Sequence, residues 1–299
     1  MTRVGEGSWL GGKRAALALT IPVDCETMVL AQGRRHAGSP LAMSHQVYEV
    51  NRGVPRLLSM LADLGIAATF YIPGWTLERH PQLAEAVLTG GHELAHHSYS
   101  HRKPTELTPA EEREDFERAL ATLRSFGVEP AGHRAASWSA GFTTLELVAE
   151  HGLLYDSSLM GHDRPYRVVV GGAQVVELPP HWALDDFDHY AYLPDPFVGR
   201  NVEAPQTVAA VWREELDGMR EYGGLCQLTC HAFLSGRPGR ALALRGLLEY
   251  ALGCGDVDLL TCAEVAQRAA RDPDLDLRPY APVTAHAEVE PVPLAGAGQ

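Results

Sequence analysis

His97 and His101 stand four residues apart in the segment GHELAHHSYSH that spans 91–101. Residues four apart on a helical turn face one way, so the two imidazoles can address a single cation. A lone pair at this spacing also arises by chance on an exposed polar turn. Here it has company: Asp24 and Glu26 close an early apolar run, and His231 follows a late one. An acid, two mid-chain histidines and a final histidine are the set that a metal-assisted hydrolase needs. The plain alternatives are a polar turn at 97–101 and a satisfied core histidine at 231.

Short apolar runs alternating with amphipathic stretches position these residues, the pattern of an α/β domain. Strands are expected at 15–21, 66–72, 93–95, 132–136, 155–158, 174–178, 225–230 and 257–260. A helix over 50–64 places Val54, Leu57, Leu58 and Leu61 on one face. Thr108-Pro109-Ala110-Glu111 opens another with an N-cap, a proline at the first helical position and a capping-box glutamate. The stretch 28–43 shows no clear period and reads as a loop over the site. About seven β-then-α units in one run suggest a barrel-like α/β domain, in which chemistry collects at the C-terminal ends of the strands. Asp24 and Glu26 follow the first strand, His97 and His101 the third, and His231 the run 225–230. Arg134 lies on or after the fourth. The domain is expected to span 1–271. Residues 272–299, rich in Pro and Ala, read as an arm or disordered tail.

The chain has 299 residues, 45% of them hydrophobic and 21% charged, which fits one large globular domain. Its formal net charge of −13 argues against nucleic acid and anionic membranes as partners. No secretory signal or membrane-spanning run is visible, so a cytoplasmic location is expected. The five cysteines are odd in number and sit mostly in apolar runs, as buried free thiols of a reducing compartment do.

Several ordered segments resemble the polysaccharide deacetylase (NodB-homology) family. The resemblance is to the branch that includes a cytoplasmic peptidoglycan deacetylase, cyclic imidases and allantoinases. They are RAALALTIPVDCET (14–27), IAATFYIPGW (66–75), GHELAHHSYSH (91–101), YDSSLMGHDRPY (155–166), VVELPPHWALDD (175–186) and LTCHAFLSGRP (228–238). The resemblance implies a distorted (β/α)7-type barrel. It also implies one divalent metal ion, expected to be zinc, on Asp24, His97 and His101, with positions left open for water and substrate. His231 would then be the general acid. Arg134 would orient a carboxylate or substrate oxygen, with Trp138 as a pocket wall. Trp182, His162 and Asp163 are further candidates for contact with substrate, and Asp185 or Asp186 for orienting a histidine. Asp156 reads as a structural anchor, and His36, His45, His92, His96 and His133 as structural or surface residues.

The first motif departs from the branch. Its frame commonly reads Thr-Phe-Asp-x-Asp-Ala-Glu, whereas here it is Thr20-Ile21-Pro22-Val23-Asp24-Cys25-Glu26. Pro22 replaces the usual base, and proline accepts no proton. Either Glu26 is the base, or water is activated without a dedicated carboxylate, or turnover is lost. Ser139, where relatives often carry Glu, also points to a changed pocket. The expected activity is hydrolysis of a non-peptide C–N bond, foremost N-deacetylation of an acetylated amino sugar or small amide. The alternatives are a cyclic amidohydrolase that opens an imide or ureide ring, and a metal-binding homologue without turnover. Branch relatives are often homo-oligomers, so a homodimer or homotetramer is expected.

Overall fold

The computed structural model describes residues 8–194, 196–199 and 202–280. Its strands are β1 (Ala15–Pro22), β2 (Thr69–Ile72), β3 (Glu93–His96), β4 (Gly132–His133), β5 (Tyr155–Asp156), β6 (Tyr166–Val170), β7 (Ala173–Glu177), β8 (Tyr192–Pro194), β9 (Phe197–Gly199), β10 (Leu225–Thr229), β11 (Val257–Leu259) and β12 (Leu277–Pro279). Seven of them run parallel in the order β10-β1-β2-β3-β4-β5-β7. Between them lie helices α1 (Thr27–Leu30), α2 (Pro40–Tyr48), α3 (Val54–Leu64), α4 (Gly74–Arg79), α5 (Gln82–Thr89), α6 (Pro109–Ser125), α7 (Phe142–Glu150), α8 (Asp186–Tyr190), α9 (Pro205–Tyr222), α10 (Pro238–Cys254) and α11 (Cys262–Ala270). This is the expected distorted (β/α)7 barrel. A single bridge from Asp185 to Thr229 links the segment after β7 to β10. Among the described residues no helix is long and apolar enough to cross a membrane.

β1 is buried along its whole length, as a strand covered on both faces must be. Leu17, Leu19 and Ile21 belong to the large apolar cluster that includes Leu57, Leu61 and Leu248 of α3 and α10. The alternate residues Ala16 and Ala18 are small and pack with Tyr71 and Tyr155. Thr20 and Pro22 continue that second face by the period of two. The two tyrosines fill the barrel interior, with the Tyr71 hydroxyl donating to that of Tyr155 (3.2 Å), which in turn donates to Glu93 (2.8 Å).

Three features differ from the sequence reading. The expected loop at 28–43 is largely helical. Ser39 caps α2, its hydroxyl accepting from the Ala42 N–H (3.3 Å), and Pro40 occupies the first turn. β6 joins β7 through Gly171-Gly172, both at positive φ (56° and 89°), as a tight hairpin turn requires. The domain also continues past 271. The Asp272 carboxylate accepts from the Trp9 N–H (3.1 Å), and β12 pairs with β6. Of the expected tail, residues 281–299 lie outside the described residues.

Asp156 and Glu177 are Cα partners on β5 and β7, both fully buried. Burial pushes the Asp156 carboxyl up to about 6. Burial and the Asp156 charge push Glu177 well above the usual range, so the folded pair retains a proton. The unfolded chain releases that proton near pH 4. The stabilisation is therefore present below about pH 4 and is lost as pH rises through the folded values. Glu177→Gln supplies the N–H permanently. Urea unfolding of this variant should show a flatter stability–pH curve on the neutral side, by up to about 1.4 kcal/mol per pH unit.

Candidate metal centre and active site

The loops after β1 and β3 bring Asp24, His97 and His101 together, with one ligand atom of each within 4.8 Å of the others. Asp24 Oδ1 lies 3.5 Å from His97 Nε2, and Oδ2 lies 3.5 Å from His101 Nε2. His231 Nε2, beyond β10, is 4.0 Å from Oδ2. The Asp24 backbone carbonyl is anchored by the hydroxyls of Thr27 (2.6 Å) and Thr76 (2.8 Å). His97 Nδ1 donates to the Arg134 backbone carbonyl at 2.8 Å. That bond fixes the tautomer of a neutral ring and leaves Nε2 with its lone pair toward Asp24. Asp24 Oδ1 itself is buried without a hydrogen-bond partner.

A lone pair facing an orphaned carboxylate oxygen is repulsive unless a cation lies between them. One carboxylate oxygen and two imidazole nitrogens are also the donor set of an open zinc site. The residues therefore fit a divalent cation. Burial would raise the Asp24 carboxyl, but the surrounding histidines, with the imidazolium of His231 among them, hold it below the usual carboxylate range. Burial pushes His101 down to about 4, which keeps a neutral ring available.

The scaffold is strained where the site is made. Cys25, Ser98, His101, Ser137 and Trp138 are the non-glycine residues at positive φ among those described, and all lie in the loops after β1, β3 and β4. Such backbone costs free energy and marks functional loops. Asp115 of α6 pins the histidine loop by accepting from the N–H groups of Tyr99 (2.7 Å) and Ser100 (3.1 Å).

His231 is held from behind. Its Nδ1 lies 2.7 Å from Asp186 and 3.4 Å from Asp185. Asp186 also accepts from the N–H of His231 (2.9 Å) and from the hydroxyl of Ser235 (2.5 Å). Burial opposes charge on His231, but Asp185 and Asp186 overcome it and raise the imidazolium well above its usual range.

Asp24, His97 and His101 open into a cavity of about 660 Å³ whose wall also includes Pro22, Arg134, Trp138, Trp182, Asp185 and Phe197; His231 stands behind Asp24 and is not part of that wall. Trp138 and Trp182 meet edge-on at 4.9 Å, and Trp182 is half exposed at the rim.

Three expected site residues sit elsewhere. The Glu26 carboxylate is taken by His80 Nε2 (2.9 Å) and is not part of the cavity wall. His162 pairs with Asp276 (3.3 Å), and the Asp163 carbonyl accepts from Leu225 N, at the N-terminal end of β10. Both therefore lie at the opposite end of the barrel from the cluster.

Sequence reasoning missed Glu49. It lies in a π-helical turn, Glu49–Gly53, between α2 and α3, a local widening common at functional sites. Its two oxygens accept from the N–H of Cys25 (2.6 Å) and of Phe233 (3.2 Å), tying the Asp24 loop to the His231 loop. Burial and the nearby Asp24 raise its carboxyl to about 8. Gly53 packs so closely against the Ala232 carbonyl that there is no room for a Cβ. Glu49→Ala leaves two buried N–H groups unpaired, each costing about 1–3 kcal/mol. Denaturant unfolding should show a loss on the order of 3 kcal/mol.

Residues 45–155 match the polysaccharide deacetylase family model. A solved Mycobacterium smegmatis structure designated a polysaccharide deacetylase is 39% identical, covers 92% of this chain and 96% of its own, and superposes with a TM-score of 0.86. The peptidoglycan deacetylase of Helicobacter pylori is 26% identical over 255 residues, 76% of this chain and 87% of the relative. A solved allantoinase shares the fold at 23% identity, with a TM-score of 0.75 over 91% of this chain and 98% of its own. The fold and these likenesses place the chain in the polysaccharide deacetylase family, whose members are hydrolases acting on amide bonds.

Proposed function

We propose that this chain is a divalent-metal-dependent hydrolase of small N-acyl compounds, with Asp24, His97 and His101 as ligands and His231 as general acid. The observation that carries this reading is the orphaned Asp24 Oδ1 facing the His97 lone pair across 3.5 Å. When bound there, the cation polarises the amide carbonyl and acidifies water without a further carboxylate, which suits a first motif that carries Pro22. Water adds across the scissile bond: its oxygen joins the acyl carbon, the C–N bond breaks, and the nitrogen leaves as an amine. His231, backed by Asp186, is placed to give the departing nitrogen its proton. Trp138 and Trp182, in edge-on contact, form one aromatic wall beside the substrate. The cavity's volume falls in the range of small-ligand sites.

The compact cavity and the altered first motif also favour a second reading, opening of an imide or ureide ring by the same C–N chemistry. A hydrolysis panel on metal-quantified protein tests both. It pairs N-acetylated amines and amino sugars with succinimide, hydantoin and allantoin. Acetate release supports the first reading, and ring opening without acetate the second. No turnover of any member by protein carrying one ion per chain would overturn both.

A further inference from the structure

Arg134 lines the cavity beside Pro22, Asp24 and Thr229, yet is only 2% exposed. Its guanidinium lies over the Tyr71 ring at 4.1 Å. It donates to the hydroxyls of Thr20 (2.9 Å), Thr229 (3.4 Å) and Ser157 (3.0 Å). With its amide turned to satisfy both ends, Gln227 accepts from the same group at 2.6 Å. Nε is buried and has no partner. Each of these neighbours is neutral, and among the described residues Arg134 forms no ion pair with a carboxylate. Neutral acceptors fix a guanidinium in place but leave its charge uncompensated, and an unpaired buried charge costs several kcal/mol. The other cation of the cavity wall, Lys103, is paired there with Glu106 (3.6 Å), so Arg134 is the one left without a carboxylate among the described residues.

The place for a counter-ion is legible in β1. Thr20 and Pro22 are two apart on one strand, so their side chains leave the same face. The face that Thr20 gives to Arg134 continues, one step toward the cavity, as Pro22. The position that could neutralise Arg134 from within the protein is filled by an uncharged ring. The terminal nitrogens of Arg134 already donate to four neutral acceptors, and a planar anion entering from the cavity would take the place of the longest of these bonds, the 3.4 Å one to Thr229 at the cavity wall.

We propose that the substrate supplies the missing anion: the site takes amides that bear a carboxylate, seated between Arg134 and Pro22 while the scissile carbonyl faces Asp24, His97 and His101. The inference rests on the hydrolase reading above and narrows its substrate class.

The test uses matched pairs of probes on the metal-loaded protein: N-acetylglycine, N-acetylalanine and N-acetyl-β-alanine, each against its primary carboxamide. Calorimetry gives the affinities and amine release gives kcat/KM. The wild-type chain should favour at least one acid over its amide by about tenfold or more, the worth of a charge-assisted hydrogen bond. Pro22→Asp places a carboxylate on Arg134 from within, and the preference should collapse to about twofold or less. The bound cation is common to both proteins, so its own attraction for carboxylates cancels in this comparison. Should Pro22→Asp fail to fold, Thr229→Asp offers a carboxylate to the same guanidinium from β10. If no acid outbinds its amide, the inference is overturned, and cleavage of the neutral amides would leave the hydrolase reading standing. It is equally overturned if the preference survives the aspartate, because the anion then sits elsewhere. If nothing is cleaved, the hydrolase reading fails on these probes while the affinities still decide this one.

Discussion

Alanine at His97 or His101 should leave the purified chain with less than about a tenth of the metal bound by wild type, and should lower amide hydrolysis by at least about 10³-fold. The effect is expected to be large because the proposed site has three protein ligands and each is preset. His97 is aimed by the Arg134 carbonyl, and Asp24 is held by two threonine hydroxyls. His101 sits on strained backbone (φ 58°) in a loop pinned by Asp115. Removing the pin should hurt less than removing a ligand. Asp115→Ala is expected to weaken metal affinity by about 10–100-fold, as loss of an outer-shell partner does. Metal analysis on the dialysed variants, together with initial rates, separates these outcomes. Full metal content and full rate in His101→Ala would remove the site from consideration.

The second large effect concerns proton delivery. His231→Gln should lower kcat by about 10²–10⁴-fold, the usual worth of a positioned acid, with metal content unchanged. Asp186→Asn tests the same group through its pH profile. Asp185 and Asp186 raise His231 above its usual range, so an acid at this position stays protonated through neutral pH, and activity is expected to fall only as pH climbs through that raised value. Removing the Asp186 charge lowers the His231 value, and the alkaline limb of kcat/KM should move to lower pH. A profile that falls in height without moving would assign Asp186 a purely structural role.

Much of this was legible in the amino-acid sequence because strand ends and motif residues coincide. The apolar runs that became β1, β3 and β10 carry Asp24, His97, His101 and His231 just beyond them, and a parallel barrel gathers such positions at one end. Other parts required the third dimension. Glu26 sits two residues after Asp24, yet the loop through Cys25 at positive φ sends its carboxylate to His80. His162 and Asp163 lie in a segment that looked site-like by resemblance, but it passes the N-terminal end of β10. Glu49 carries no motif of its own; its role comes from the two loops it ties, which are 24 and 184 residues away. The Ser39-Pro40 helix start and the Gly171-Gly172 hairpin are both written in local chemistry, the first inside a stretch without a clear period. β12 had no such signal, since a three-residue parallel edge strand is set by its partner β6.

The central claim is that amide cleavage runs on a cation held by Asp24, His97 and His101. The most direct measurement is a titration: strip the wild-type chain with a chelator, restore zinc in steps, and follow both bound metal and amine release. The account predicts that hydrolysis falls to background on stripping and returns in proportion to bound ion, reaching its plateau at one per chain. Hydrolysis that persists in the stripped protein, or a plateau unrelated to that single ion, would contradict it.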